Sequence, residues 1–287
     1  MGKEYSVPGL SGIMEGMPPM PAVPLTLEGS AVLHQMFRLR RAEWRRETGK
    51  DRLLTAAATA LAEMEETGSG LFSMLGHKSD LMLVHHRRSF DDLNAVELQL
   101  ASLELFDYLE PATSYVSVVE LGLYESSWRL YNQLAGRGIE PFTPEWDKEI
   151  EETLETQRKA MAPRLWPAIP NHRYICFYPM NRTRGERKNW YMLPMAERRR
   201  QMHEHGLIGR RYAGQVQQII SGSIGFDDWE WGVDLYAENP LVFKKLIYEM
   251  RFDEASAMYA EFGPFYFGRR VSASVIGDLF AGHLPAG

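Results

Sequence analysis

The residues most able to hold an anion are concentrated between positions 182 and 211. This segment has nine Lys and Arg residues against three Glu, a net charge of +6, in a chain whose formal charge is −6. Guanidinium groups bind carboxylates and phosphates through paired hydrogen bonds, so the segment predicts a site for an anionic ligand. Within it, Arg198, Arg199 and Arg200 are three consecutive arginines of a predicted helix, and we expect them to form a solvated face.

Histidines are the second set of residues with usable chemistry. His203 and His205 stand two positions apart, about 200° around a helix, so they cannot bind one metal together. His205 precedes Gly206 near a predicted helix end, where it is either a single axial ligand of haem iron or an ordinary surface or hydrogen-bonded core histidine. His85 and His86 face opposite sides of a predicted strand, and we interpret both as structural.

Composition excludes several classes of protein. Cys176 is the single cysteine of 287 residues, so neither an internal disulfide nor a cysteine-based zinc site can form. The acidic balance argues against a nucleic-acid binder, and no apolar run is long enough to span a membrane. The first residues lack the order of a secretory signal, so we expect a cytoplasmic protein. The acidic cluster around Asp227 and Asp228 is interpreted as turn chemistry rather than a metal site.

Hydrophobic periodicity predicts one order of elements that occurs twice. The predicted strands are 31–39, 70–76, 80–86 and 113–121 in the first half and 172–180, 216–222, 229–237 and 262–270 in the second. The predicted helices are 43–65, 90–109, 145–161, 194–205 and 239–252. Each half reads β-α-β-β-α-β, which is the order of a ferredoxin-like unit.

The predicted fold class is therefore α+β, with two ferredoxin-like halves that form a dimeric α+β barrel within one chain. Residues 1–28, rich in Pro and Gly, are expected to form an extended arm. We place the N-terminal ferredoxin-like domain at 29–150. The C-terminal ferredoxin-like domain, expected to hold the ligand, is placed at 151–287.

Three long motifs in the second half resemble the coproheme decarboxylase family. They are FYPMNRTRGERKNWYMLP at 177–194, HEHGLIGRRYAGQVQQIISGSIGFDDWEWGVDLYA at 203–237 and KKLIYEMRFDEASAMYAEFG at 244–263. SYVSVVEL at 114–121 and DLMLVHHRR at 80–88 add agreement in the first half, so the resemblance runs from about residue 30 to the end.

The resemblance implies a chlorite dismutase-like fold, a homopentamer and an enzyme of haem biosynthesis. The implied reaction uses two molecules of hydrogen peroxide to convert propionates 2 and 4 of iron coproporphyrin III (coproheme) into vinyl groups. It yields haem b and two molecules of CO₂, and coproheme is both substrate and redox cofactor. Coproporphyrin ferrochelatase is the implied donor of coproheme.

Site residues follow from the resemblance position by position. His205 matches the family's proximal histidine, and Tyr178 matches the tyrosine that becomes a radical. The remaining matches concern the porphyrin and its carboxylates. They are Arg164 and Ser256 as propionate ligands, Arg210 as a further propionate partner, Met180 at the porphyrin edge, Gln218 at the distal position and Trp190 in the pocket wall.

Arg182 departs from the family pattern, because well-known members have lysine at that position. Arginine can still anchor a carboxylate, but it does not readily release a proton. If the lysine transfers a proton in those relatives, this chain must do so differently. If it only anchors the substrate, Arg182 is an adequate replacement.

Two alternatives remain open at this point. A chlorite dismutase would share the fold and the proximal histidine but would need a distal arginine where this chain has Gln218. A haem carrier or sensor of the same fold would bind haem b and leave the propionates intact. In addition, no histidine lies between His86 and His172, so the resemblance supplies no base for peroxide.

Overall fold

The strands account for the core of the protein. A computed structural model describes residues 20–284. Its strands are β1 (Thr26–Leu39), β2 (Ser69–Leu75), β3 (Leu81–Arg87), β4 (Leu109–Gly122), β5 (Tyr174–Arg182), β6 (Gln217–Gly222), β7 (Trp231–Ala237), β8 (Ala260–Phe262) and β9 (Tyr266–Val271). Eight of these lie at the predicted positions, and the short β8 was not predicted.

The strands form one antiparallel sheet that closes on itself. The order is β7-β6-β4-β1-β3-β2-β9-β5, and β7 also pairs with β5, so these strands make a ring with β8 added beside β5. Strands β4-β1-β3-β2 and β6-β7-β5-β9 each have the order of a ferredoxin-like sheet, and the two sheets join at β2–β9 and β4–β6. The predicted α+β barrel is confirmed.

Helices cover the outside of the barrel. They are α1 (Arg41–Arg46), α2 (Lys50–Glu66), α3 (Phe90–Ala101), α4 (Tyr124–Gly136), α5 (Pro144–Ala160), α6 (Ala162–Leu165), α7 (Met195–Arg211), α8 (Leu241–Met250), α9 (Glu254–Tyr259) and α10 (Ile276–Phe280). Short 3-10 helices span Glu104–Tyr108, Trp190–Met192 and Ala273–Val275. Capping residues in the sequence fix the N-terminal ends of two of these helices. The Ser89 side chain caps α3 by accepting from the Asp92 amide, and Thr143 caps α5 just before Pro144.

Three predicted helices are wrong in extent. The predicted helix 194–205 continues to Arg211 as α7, so Gly206 does not end it and His205 lies within the helix. The segment 43–65 is interrupted at residues 47–49, because the Glu47 carboxylate accepts from the Gly49 amide and ends the first helix before α2 begins. The predicted helix 90–109 ends at Ala101, and Leu109 already belongs to β4. Helices α4, α6, α9 and α10 were not predicted. They matter here because α4 packs on α7, and α9 packs on the same helix from another side.

Two layers of apolar packing follow from the closed sheet. Side chains from every barrel strand meet inside the ring, Val32, Phe72 and Tyr236 among them. The outer face of the C-terminal half packs against α8, where Val233 contacts Phe243 and its neighbours. Alternate residues of a strand face opposite sides, so each strand supplies both layers.

Several predictions about the ends and the surface have separate outcomes. Residues 1–19 of the predicted arm lie outside the described residues, and β1 begins at Thr26, inside the range assigned to the arm. The predicted domain boundaries remain a prediction. Cys176 is buried and free. Within residues 20–284, no helix has the length and apolar character needed to cross a bilayer.

Candidate functional site

A cavity of about 1000 Å³ opens between the outer face of the barrel and the helices of the C-terminal half. One wall is the sheet, with residues of β4, β5, β6 and β7. The other wall is helical, with Met202 and His205 from α7, Met250 from α8 and Ser256 from α9. This volume is at the upper end of the range for cavities that enclose a cofactor-sized ligand.

Strand alternation explains which side chains the sheet presents to the cavity. On β5, Ile175 and Phe177 face the barrel interior, whereas Tyr178 and Met180 reach the cavity. Tyr178 lies opposite Val233, and Val233 lies opposite Ile220 on β6. The ladder therefore fixes Tyr178, Val233 and Ile220 in one row across the sheet wall.

Tyr178 is 5% exposed, and its ring packs against Phe265 with ring centres 4.6 Å apart. Burial raises the pKa of the phenol well above its ordinary value, so Tyr178 is neutral near pH 7. Among the described residues its hydroxyl has no hydrogen-bond partner. A neutral phenol without a neighbouring base is suited to losing a hydrogen atom as a unit, rather than to acting as an acid.

His205 lies on the helical wall with one ring nitrogen already fixed. Its Nδ1 is 2.9 Å from Asp253 Oδ2, and Asp253 is almost fully buried. Burial raises the pKa of Asp253, but the hydrogen bonds from His205 and Ser256 and the charge of His205 outweigh it, and the net pKa is lowered. Because the carboxylate accepts a hydrogen bond from Nδ1–H, the lone pair of Nε2 is left for a metal ion.

Ser256 is held by the same carboxylate. Asp253 caps α9, accepting from the Ser256 amide at 2.9 Å through Oδ1 and from the Ser256 hydroxyl at 3.1 Å through Oδ2. The Ser256 hydroxyl is also 3.4 Å from His205 Nδ1. The structure therefore places the predicted propionate ligand beside the predicted iron ligand, at the start of a helix that was not predicted.

Arg182 is the buried cation of the cavity. It is 7% exposed, its Nη1 donates to the Ala255 carbonyl at 2.8 Å, and its Nη2 lies 3.3 Å from Met202 Sδ. Among the described residues no carboxylate lies within ion-pair distance of this guanidinium. A buried charge without a counter-ion is costly, so Arg182 is prepared for an anion that enters the cavity. Burial also lowers the pKa of the group, although arginine stays charged.

The other predicted site residues divide into two sets. Arg164 on α6, Met180 on β5 and Gln218 on β6 all line the cavity. Trp190 and Arg210 are not among the residues that line it. Trp190 lies one layer behind the cavity wall, because its ring packs with Tyr259 in a separate apolar cluster. The Arg182 guanidinium is 4.5 Å from the centre of the Trp190 ring. Arg210 is exposed and donates to the Gly206 carbonyl of its own helix.

The expectation of a solvated face at 198–200 is wrong for Arg198. This side chain is 4% exposed, lines the cavity and donates to the Ala22 carbonyl of the chain before β1. Arg199 pairs with Glu125 of α4 at 2.8 Å, and Arg200 pairs with Glu254 of α9 at 2.6 Å. Helix α7 is therefore bound on several sides by elements that were not predicted.

Sequence reasoning missed two carboxylates, Asp253 and Glu120. Asp253 lies in the third motif, in an N-cap pattern, Asp253 with Ser256 three residues later, that could have indicated the start of a helix. Glu120 reaches the cavity from β4 and accepts from Trp231 Nε1 at 3.3 Å. In the sequence, Glu120 is one polar residue of an alternating strand, and this pattern does not distinguish it from an ordinary exposed side chain.

The fold and the site together define a class of protein: a fused α+β barrel whose outer cavity pairs an available histidine nitrogen with a buried guanidinium. The model of the chlorite dismutase family matches residues 50–271. The chain belongs to the chlorite dismutase family.

Relatives at higher similarity narrow the comparison. A protein of Staphylococcus saprophyticus named coproheme decarboxylase is 41% identical over 270 residues, covering 91% of this chain and 100% of the relative. A second protein of that name, from Staphylococcus carnosus, is 43% identical over 223 residues, covering 77% and 81%. The solved structure of a haem-binding protein from Thermus thermophilus has a TM-score of 0.75 at 38% identity, covering 92% and 99%.

Proposed function

We propose that this protein is a coproheme decarboxylase: it uses hydrogen peroxide to convert propionates 2 and 4 of coproheme into vinyl groups, giving haem b and two molecules of CO₂. One observation carries the proposal. A single cavity brings together an oxidisable buried phenol, a histidine nitrogen free for iron and a buried guanidinium that lacks a carboxylate. The names of the two staphylococcal relatives support the same activity.

The residues present fit an iron porphyrin with several carboxylates. His205 Nε2 would ligate the iron, since Asp253 fixes the opposite ring nitrogen. Arg182 and Arg164 would bind propionates, with Ser256 as a hydroxyl partner, and guanidinium–carboxylate pairs are strong and directional. Met180 and Gln218 would contact the porphyrin from the sheet wall. Trp190 would act through Arg182, whose position it supports, and Arg210 has no part in the proposed site.

The bound porphyrin iron would supply oxidising equivalents from hydrogen peroxide. Tyr178 would give up an electron and a proton to the oxidant derived from peroxide and become a neutral radical, which would then take a hydrogen atom from the propionate β-carbon. Loss of a second electron to the same source of oxidising equivalents, with release of CO₂, would leave the vinyl group. The transfer of the hydrogen atom requires near-contact of the phenol oxygen and the carbon, so positioning is the main contribution of the protein. The packing of Tyr178 against both Phe262 and Phe265 holds the ring in one place and excludes water from it.

Arg182 would serve as an anchor and not as a proton donor. Its guanidinium is held by the Ala255 carbonyl and lies over the Trp190 ring, two contacts that fix its orientation. An arginine in this setting keeps its proton, so proton transfer must come from another residue. These two contacts support the anchoring alternative for Arg182.

The setting of the enzyme in the cell is also part of the proposal. We place it in the cytoplasm, with coproporphyrin ferrochelatase as donor of coproheme and the protein assembled as a homopentamer. Exposed apolar side chains on and after α8, among them Leu241, Tyr248 and Phe252, support assembly, because a monomer seldom leaves such side chains grouped in water.

The test is to load the purified protein with ferric coproporphyrin III, titrate hydrogen peroxide and follow the porphyrin by mass spectrometry. We expect stepwise loss of two carboxyl groups through a singly decarboxylated intermediate, complete near two equivalents of peroxide. A porphyrin that binds but keeps all four propionates, or that only bleaches, would instead identify a haem carrier or sensor.

A further inference from the structure

Glu120 is a carboxylate of the cavity wall to which nothing above assigns a role. It reaches the cavity from β4, beside β6. Gly222 on β6 makes the room for it, because a Cβ on that residue would overlap Glu120 Oε2. Trp231 Nε1 donates to Oε1 at 3.3 Å, and Oε2 has no hydrogen-bond partner within the described part of the chain. One carboxylate oxygen is therefore fixed, and the other is free to accept.

The strand register places Glu120 relative to the predicted site. The pairing of Val118 with Gly222 and of Val119 with Ser221, continued by one residue, sets Glu120 beside Ile220. It thus ends the row that begins at Tyr178, three strand spacings of about 4.8 Å away. Glu120 is too far from Tyr178 to take its phenolic proton, but it lies one strand from Gln218.

The surroundings of Glu120 favour a carboxylate that can exchange a proton. Burial raises its pKa, the hydrogen bond from Trp231 opposes this rise, and the charge of Glu28 on β1 adds to it. A base is most effective when its pKa approaches the working pH. A raised pKa brings the Glu120 carboxylate closer to the pH at which it can accept a proton.

The other titratable groups of the wall are unsuited to accept a proton. Hydrogen bonds from Arg199 and Arg129 lower the pKa of Glu125, and both oxygens of its carboxylate are engaged in these ion pairs. Burial keeps Tyr178 and Tyr191 protonated. The arginines cannot accept, and His205 is committed to Asp253 on one nitrogen and to the proposed iron on the other.

We propose that Glu120 is the base that deprotonates hydrogen peroxide in this cavity. In that step an O–H bond of peroxide breaks, an O–H bond to Glu120 Oε2 forms, and the hydroperoxide anion keeps the electron pair. No oxidant is needed for the transfer itself. The proposal rests on the function proposed above, since only that reaction brings peroxide into the cavity.

Hydrogen cyanide is the probe, because it too must lose a proton as it binds a ferric porphyrin. The association rate is measured by stopped-flow absorbance on protein loaded with ferric coproporphyrin III, across the pH range in which the protein stays folded. Glu120→Gln keeps the size of the side chain, and we expect it to slow association by about 100-fold, the low end of the effect of a general base. Glu120→Asp, which keeps the carboxylate, should recover part of the rate.

Two further variants sharpen the test. Glu110→Gln makes the same change at an exposed position of the same strand and should leave the rate unchanged. Gly222→Ala leaves Glu120 in the sequence but displaces its carboxylate, so it should slow association as Glu120→Gln does. In unloaded protein, carbon-13 NMR of the glutamate carboxyls should show a titration above the ordinary range that is lost in Glu120→Gln, beside that of Glu65, whose pKa burial also raises.

The two proposals fail separately. Loaded wild-type protein that does not decarboxylate coproheme overturns the proposed function, whereas cyanide association still reports on Glu120. Decarboxylation by the wild type, together with an unchanged cyanide rate and pH profile in Glu120→Gln, overturns the role of Glu120 alone.

Discussion

At the scale of single residues, Tyr178 tests the proposed chemistry most directly. Tyr178→Phe removes one oxygen from a ring held by Phe262 and Phe265, so we expect the fold and coproheme binding to persist. Because the hydrogen-atom donor is gone, haem formation should fall by about 100-fold or more, comparable with removal of a group that acts in the transition state. The porphyrin products after a fixed dose of peroxide give the measurement. Substantial haem from the variant would remove the radical role.

Single residues also mark the limit of what the sequence predicted. Motif matches located Tyr178, His205, Met180, Gln218 and Ser256, all of which line one cavity. Trp190 and Arg210 were matched in the same way, yet one is a layer behind the wall and the other is exposed. A motif fixes the position of a residue in the chain, whereas its contacts depend on elements far away in sequence. For the same reason the sequence did not predict that Glu120 lines the cavity, since its place there depends on the pairing of β4 with β6.

At the scale of elements, the residue that caps α9, Asp253, has two roles. Asp253 caps the helix and also accepts from His205. Asp253→Asn retains a capping side chain but loses the negative charge, so the melting temperature should change little while the iron–histidine bond weakens. Resonance Raman spectra of the ferrous loaded protein would show this as a lower iron–histidine stretching frequency.

Asp253→Ala is the companion variant. It loses the charge and the cap together, so it should lower the free energy of unfolding by about 1 kcal/mol in addition to the spectral change. An iron–histidine frequency that is the same in Asp253→Asn and the parent would show that the carboxylate does not tune His205.

Strands and helices with a sustained apolar pattern were predicted from the sequence, whereas helices with a short or weak pattern were missed. The eight barrel strands alternate or are continuously apolar, and each was found within a few residues of its observed ends, except that β1 and β4 start earlier. Helices α6 and α9 have 4 and 6 residues, too few to show a helical period. Helix α4 is long enough, but its buried face includes Ser127 and Tyr131 beside leucines, which weakens the apolar pattern.

At the scale of the whole molecule, buried histidines make stability depend on pH. Burial lowers the pKa of His85 to about 3 from its ordinary value of 6.5, and burial lowers the pKa of His86 as well. Below pH 6.5 the unfolded chain therefore binds protons that the folded chain does not. Stability should be complete above that pH. It should fall toward pH 3 by about 1.4 kcal/mol per pH unit from His85, and the lowered pKa of His86 should add to the loss.

Urea unfolding of the unloaded protein at several pH values would measure this dependence. His85→Gln keeps a polar partner for Ser69, which is 2.7 Å from His85 Nδ1, and removes one titrating group. The slope of the unfolding free energy against pH should be smaller in this variant between pH 6.5 and pH 4.5. Equal slopes in variant and parent would show that His85 is protonated within the folded protein.

The position of β9 in the ring has a consequence for how the protein is made. This strand, the last of the described chain, lies between β2 and β5, and its residue Val271 pairs with Leu71. A ribosome delivers the chain from its N-terminus, so β2 leaves the exit tunnel with its outer edge unpaired and stays so until β9 has been synthesised. The nascent barrel is an open sheet throughout that time. Until β9 closes the ring, the unpaired edge of β2 can therefore pair with another chain.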